Sequence, residues 1–256
     1  MDSVLGVTED LRTLYPRLID GDMSVVAAFV DKATADSPLG CKQQPAEFAS
    51  ETRAWLQHHT ARSEQVHTIV TPERVIHELT LHLTLDGEGR EVPVMLIADV
   101  ENDHIRDLRV YHSTWPLTGK HAVRPPMMQY ALTERPPEPV GSYHEALMQG
   151  DAEKADAQFE PDGCVREPAG GPWVYCGPAR TEWYRDILSI GPIVLSLGTI
   201  TDDGETVVYE YMADRWGPEP MTPQAGAAAY QRGASGKLCS ARIYDDVQPP
   251  AALGDV

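Results

Sequence analysis

Apolar residues along this chain fall first at helical spacing and then at strand spacing, and the alternation runs through twice. Leu11, Leu14, Tyr15 and Leu18 recur at three- and four-residue intervals, which predicts a helix over 9–20. Gly21-Asp22 breaks it, and Ser24–Lys32 reads as a second short helix. Pro38-Leu39-Gly40 then punctuates an extended stretch, and Phe48, Trp55 and Leu56 mark a third helix over 46–60. From Val66 onward β-branched residues dominate. Strands are predicted at Val66–Val70, Arg74–Leu85, Pro93–Val100 and Ile105–Trp115, with turn signals such as Asp86-Gly87 between them. The second half predicts helices over 140–150, 152–159 and 179–189, then strands over 192–201, 205–216, 222–232 and 237–246.

The repetition reaches individual residues. Tyr15, Gly21-Asp22, Phe29 and Pro38-x-Gly40 return as Tyr143, Gly150-Asp151, Phe159 and Pro168-x-Gly170, and Leu108-Arg109-Val110-Tyr111 returns as Ala241-Arg242-Ile243-Tyr244. The offset drifts from 128 to 133 residues, so the unit is a whole small domain, duplicated and fused, not a solenoid repeat. Each half is three helices followed by a curled antiparallel sheet, an α+β pattern. Six prolines from Pro116 to Pro139 inclusive make a stiff, extended connector, expected to lie along the surface of both domains because Met127, Met128 and Tyr130 need cover. The expected division is residues 1–116, a connector over 117–139, and 140–256, with a frayed tail from Gln248 to Val256.

Composition narrows the function classes. A chain of 256 residues with 42% hydrophobic and 23% charged positions fits two ordinary globular domains. A net charge of −18 repels a phosphate backbone, which argues against nucleic acid as a partner. No apolar run is long enough to span a bilayer, so no membrane role is expected. The start, Met1-Asp2-Ser3-Val4, has no basic segment followed by an apolar stretch. Cys41, Cys164, Cys176 and Cys239 form no C-x-x-C pair and read as reduced thiols of a cytoplasmic protein. No nucleotide-binding glycine motif or Gly-x-Ser-x-Gly elbow is present, and no cofactor is expected. Eight of nine histidines precede residue 122, but His77 and His82 fall on opposite strand faces and His58-His59 diverge on a helix, so no metal site is expected.

Taken in order, these residues carry a resemblance. Each half resembles the nuclear transport factor 2-like superfamily, which includes ketosteroid isomerase, limonene epoxide hydrolase and SnoaL-like polyketide cyclases. The carrying segments are Tyr15-x6-Asp22 and Tyr143-x7-Asp151, then Phe-x3-(Ala/Gly)-(Thr/Cys)-x3-Pro-x-Gly at Phe29–Gly40 and Phe159–Gly170, then Arg109-Val110-Tyr111 and Arg242-Ile243-Tyr244. The match covers nearly the whole chain. It implies two tandem cone-shaped α+β barrel domains, each with a pocket between helices and concave sheet. It also implies an internal pseudo-dimer, with a further homodimer open. In the isomerase a helix-1 tyrosine matches Tyr15 and Tyr143, and the base position matches Ser37 and Glu167. The remaining acid has no counterpart at Leu96-Ile97 or Ala227-Ala228, so the isomerase activity is not carried over.

Strand alternation extends the candidates. Val208, Glu210, Met212 and Asp214 share one face, which alignment to the family turns toward the pocket, and Glu78, Thr80 and His82 do so in the first half. The last strands offer His112 and Asp245. The second pocket is thus expected to collect Tyr143, Glu167, Glu210, Asp245 and Asp214, and the first Tyr15, Glu78, His82 and His112. Trp55, Trp183, Tyr184 and Met212 serve as walls. Acids sharing a desolvated cavity cannot all ionise cheaply, so one donates a proton while another accepts. A solvated face for Glu210 or Asp214, and structural roles for His82 and His112, are the plain alternatives. The expectation is a cofactor-free acid–base enzyme of the SnoaL-like type. It would cyclise, isomerise or hydrate a small hydrophobic, natural-product-like molecule, with epoxide opening as the closest chemistry. A non-catalytic small-molecule binder and a protein-interaction module remain open beside it.

Overall fold

A computed structural model describes residues 2–171, 173–218 and 220–250, and the chain divides into two compact units, Met1–Lys120 and His121–Val256. In the first unit, helix α1 (Asp2–Ile19) buries the predicted stripe of Leu11, Leu14, Tyr15 and Leu18. Gly21 takes a left-handed φ of +82°, and Asp22 accepts a hydrogen bond from the Ser24 amide to cap a short 3₁₀ turn, Met23–Ala28. Strands β1 (Phe29–Ser37) and β2 (Gly40–Gln43) lead to helix α2 (Pro45–His58). Strands β3 (Arg62–Val70), β4 (Arg74–Leu85), β5 (Glu88–Glu101) and β6 (His104–Tyr111) and the short helix α3 (Trp115–Thr118) complete the unit. The sheet order is β2-β1-β6-β5-β4-β3.

The second unit repeats this with helices α4 (Val140–Gln149) and α5 (Ala152–Ala157), strands β7 (Phe159–Arg166) and β8 (Val174–Cys176) and helix α6 (Pro178–Leu188). Then come β9 (Ile193–Asp202), β10 (Thr206–Trp216), β11 (Pro220–Arg232) and β12 (Leu238–Tyr244), in the sheet order β8-β7-β12-β11-β10-β9.

Two features differ from the sequence pattern. β1 and β7 are full strands where a helix tail and an extended link were predicted, and each pairs in parallel with the last strand of its unit, so the sheets are mixed, not antiparallel. Small residues, Ala33 and Ala35 in β1 and Gly163 in β7, hide the strand periodicity there. Cysteine is the second. Cys164 and Cys176 sit opposite each other in the β7–β8 pairing, with Cα atoms 4.2 Å apart, and are disulfide-bonded; only Cys41 and Cys239 are free thiols. The hairpin that closes between them is what a search for C-x-x-C spacing passes over.

The proline-rich stretch belongs with the second unit from His121 onward. The Leu132 amide donates to Leu197 O, and Gly198 of β9 lacks a Cβ where Met128 and Tyr130 seat. Gly198 is the extra residue of a bulge, since Thr199 opposes Glu210 while Leu197 opposes Tyr211. Among the described residues no helix is long and apolar enough to cross a membrane. The frayed tail expected for Gln248–Val256 lies outside the described residues from 251 on.

The inner face of each sheet is set by its largest apolar side chains. In β4, Val75, Leu79, Leu81 and Leu83 join the α1 core, and in β10, Val207, Tyr209, Tyr211 and Ala213 join Tyr143 and Tyr184. The helices therefore cover the odd-numbered positions. The expected pocket face, Glu78-Thr80-His82 and Val208-Glu210-Met212-Asp214, is the opposite one. Alternation alone could not choose, because Val208, Glu210 and Met212 are themselves almost fully buried.

Candidate active site

The interior of the second unit is lined by phenols. Tyr143 of α4 packs its ring against Phe159, Tyr184 and Tyr230, and accepts a hydrogen bond from the Tyr184 hydroxyl at 3.1 Å. Tyr209 and Tyr230 share a hydroxyl–hydroxyl bond of 2.6 Å across adjacent strands. Burial pushes the Tyr143 phenol up to about 12 and raises Tyr209 and Tyr230 as well, so all three stay neutral. Tyr143 and Tyr184 are thus brought together as expected residues, but as a satisfied pair of hydroxyls.

Beside this array lie two acids. Asp245 follows β12 on the inner face and accepts a short hydrogen bond from the Tyr211 hydroxyl and one of 3.2 Å from the Val247 amide. Glu167 follows β7, in a turn tied by its own amide to Trp173 O and by the Gly170 amide to Glu167 O. Its carboxylate accepts from the Trp183 indole of α6, and the Trp183 ring stacks on Tyr175 of β8 at 5.5 Å and 20°. Burial lifts the Asp245 carboxyl to about 6 against the opposing hydrogen bonds from Tyr211 and Val247. Glu167 is raised too, by burial and then by the charge of Asp245, while the Trp183 bond works the other way. The charge of Asp245 thus bears on Glu167, and the side-chain donors of both acids are neutral. Tyr175 is likewise raised, by burial and the Glu167 charge.

Glu210 and Asp214 do not join them. On the opposite face, Thr199 donates to Glu210 at 2.7 Å and Ser196 donates to Asp214 at 2.5 Å. Met212 shares that face, so it is no wall of this site. Tyr211 and Tyr175 were missed by sequence reasoning. The Tyr209-x-Tyr211 alternation, on the strand beside that of Tyr230, was the available signal, and it lay on the face set aside.

In the first unit, Tyr15 is a core residue and Glu78 is buried on the outer face. His82 is also on that face, 3.0 Å from Glu64 and 3.6 Å from Glu91 at the exposed side. His112 does face inward, stacked on Trp55 at 5.8 Å, with Nδ1 3.1 Å from Ser113 O. Ser37, at the place of Glu167, accepts from the Leu39 amide. His77, which holds the place of Tyr209, is an inner-face histidine that the pattern did not select. It is 1% exposed, its Nδ1 lies 2.9 Å from Thr68 Oγ1, and burial pulls its pKa down to about 4. Among the described residues no cluster of three or more metal-ligating side chains forms.

No family model matches the chain, and no curated protein matches it. Solved structures similar to one half at a time do exist. An epoxide hydrolase from M. tuberculosis, described as LEH-like, is 15% identical over 45% of this chain and 89% of its own, with a TM-score of 0.38. SalBIII, an epoxide hydrolase/cyclase-like enzyme in pyran ring formation of the polyether salinomycin, is 17% identical over 43% and 89%, with a TM-score of 0.36. An NTF2-like protein of unknown function from Burkholderia pseudomallei is 17% identical over 43% and 92%, with a TM-score of 0.38. By the order and pairing of its own strands, the chain is a tandem of two α+β domains of one topology, the tandem arrangement that its resemblance to the nuclear transport factor 2-like superfamily implied.

Proposed function

We propose that the second domain is a cofactor-independent acid–base centre in which Glu167 and Asp245 act as the reacting pair on a small hydrophobic molecule. One observation carries this reading: two carboxyl groups lie at the inner side of the helix–sheet sandwich, both buried enough to raise their pKa and both held by neutral side-chain donors. Burial keeps a proton on carboxyl groups of this kind to higher pH than on exposed ones, which equips them for acid–base work. Asp245, the deeper group, holds its proton up to a pH of about 6 and is the acid. Glu167, half-buried, reaches water and is the base.

On an epoxide, Glu167 would take a proton from water, or from a hydroxyl of the substrate, as that oxygen attacks ring carbon. Asp245 would give its proton to the departing epoxide oxygen. The product is a diol or a cyclic ether, and the proton gained by Glu167 returns to Asp245 through solvent. The stacked Tyr175–Trp183 pair supplies an apolar surface beside the acids. Epoxide opening and ring formation, named for two of the similar structures, are reactions of this class; the acids carry the reading. The first domain, with Ser37 and His112 at the matching places, lacks the pair.

The test is turnover of a panel of hydrophobic epoxides by the full chain in ¹⁸O-labelled water, read by chiral gas chromatography and mass spectrometry. Diol carrying one ¹⁸O is expected, with loss of about 100-fold or more in Glu167→Gln and in Asp245→Asn. Full activity in both amide variants would sink the assignment. Saturable binding with every epoxide returned unchanged would make the domain a binder.

A further inference from the structure

We propose that His121 and Asp246 are positioning residues for Asp245, so that the proline-rich connector is a working part of the second domain's site. The inference rests on Asp245 being the acid of that site. Its basis is a set of bonds that fastens the connector to the residue directly after Asp245. His121 Nδ1 lies 3.0 Å from Asp246 Oδ1, and the Ala122 amide donates to Asp246 Oδ2 at 2.8 Å. Gln224 of β11 closes the loop by donating to Ala122 O at 2.6 Å and to Asp246 O at 3.1 Å. The Arg124 amide donates back to Gln224 Oε1 at 2.8 Å, and the Ala225 amide donates to Arg124 O. Residues 121–124 are thus stitched to the start of β11 and the end of β12. The Asp246 side chain is 1% exposed and the His121 ring 21% exposed, so the carboxylate is held inside while the imidazole reaches solvent.

The charges act on Asp245 with opposite signs. The groups that face it are the Tyr211 phenol from β10, Glu167 from the turn after β7, Asp246 beside it, and His121 from the connector. Asp246 disfavours the Asp245 carboxylate, and protonated His121 favours it. The pair therefore fixes where the backbone of Asp245 sits and offsets the charge that its neighbour would otherwise impose.

Carboxyl ¹³C NMR titration of the full chain, labelled in aspartate and glutamate, tests this without any substrate. The Asp245 signal is identified by its loss in Asp245→Asn. His121→Gln should raise the Asp245 midpoint by roughly half to one unit, and His121→Lys should bring it back to or below the wild-type value. Asp246→Asn should lower it. Both His121→Gln and Asp246→Asn loosen the same clasp, so a merely structural role would move both midpoints the same way. Shifts of equal sign, or an unmoved midpoint in His121→Gln, overturn the proposal. If Asp246→Asn does not fold, the Gln and Lys variants at 121 decide alone. Absent epoxide turnover would count against the acid–base reading and leave this titration to be judged by itself.

Discussion

Tyr211 and Asp245 are joined by a hydrogen bond that passes over an intervening strand. Tyr211 lies on β10 and Asp245 just beyond β12, and Gly226 of β11 stands directly opposite Tyr211. A Cβ at residue 226 would fall 2.7 Å from Asp245 Cβ and 2.8 Å from Tyr211 Cζ. The glycine is there because the two side chains meet where its own would have been.

Gly226→Ala should therefore push Tyr211 and Asp245 apart. Overpacking of this kind costs about 1–3 kcal/mol, and urea unfolding at neutral pH measures it. Turnover should fall with it, while Gly89→Ala, at an exposed glycine without a left-handed φ and with nothing within 4 Å of an added Cβ, gives the comparison for a harmless methyl.

Tyr211→Phe removes a donor that favours the ionised form of Asp245. The midpoint of Asp245, already lifted to about 6 by burial, should move higher still. The pH–rate profile of epoxide turnover should shift its corresponding limb toward alkaline pH. A profile that stays in place would show that the phenol does not tune the acid.

His77 gives the protein an acid-sensitive core. Its folded-state pKa of about 4 lies below the 6.5 of an unperturbed histidine, so the unfolded chain takes up the proton first. Stability from this group is fully present above pH 6.5 and is lost as pH falls toward 4, by about 2–3 kcal/mol. Urea unfolding at pH 7 and at pH 4.5 should show that much extra acid loss in the wild type relative to His77→Phe. Equal losses in the two proteins would refute the assignment.

Glu210 and Glu167 should separate cleanly. Glu210→Gln keeps the hydrogen bond from Thr199 and sits on the face away from the helices, so epoxide turnover should stay within a few-fold of wild type. Glu167→Gln should lose about 100-fold or more.

The Cys164–Cys176 bridge closes a segment with a sequence separation of 12 that carries Glu167 and Tyr175 between its ends. Replacing both cysteines by serine should lower stability by about 2–4 kcal/mol, measured by unfolding with and without reductant. Reductant should reproduce the loss in the wild type and leave the double variant unmoved.

Much of the scaffold could be read from the chain because each landmark had one physical job. Tyr15 and Tyr143 closed a helical stripe, and Gly21 and Gly150 took left-handed turns after it. Arg109-Val110-Tyr111 and Arg242-Ile243-Tyr244 marked the closing strands. Glu167 was a candidate through the family resemblance and Asp245 through its place at the last strand, and neither choice depended on sheet parity. The choice of strand residues between them did. Val208, Glu210 and Met212 alternate with Val207, Tyr209 and Tyr211, and both rows are buried, so apolar character could not tell inside from outside. Cys164 and Cys176 were missed because their partnership depends on a hairpin whose first strand the glycine and proline of its sequence disguise.

The stitching of residues 121–124 to Gln224 and Asp246 sets an edge for dissecting the molecule. The repeat in the sequence starts again near 140, yet a fragment cut there would strip the amides and imidazole that grip the residue beside Asp245. A polypeptide beginning at His121 would keep them. The piece that was copied and the compact unit that holds the site have different first residues, about twenty apart in the numbering.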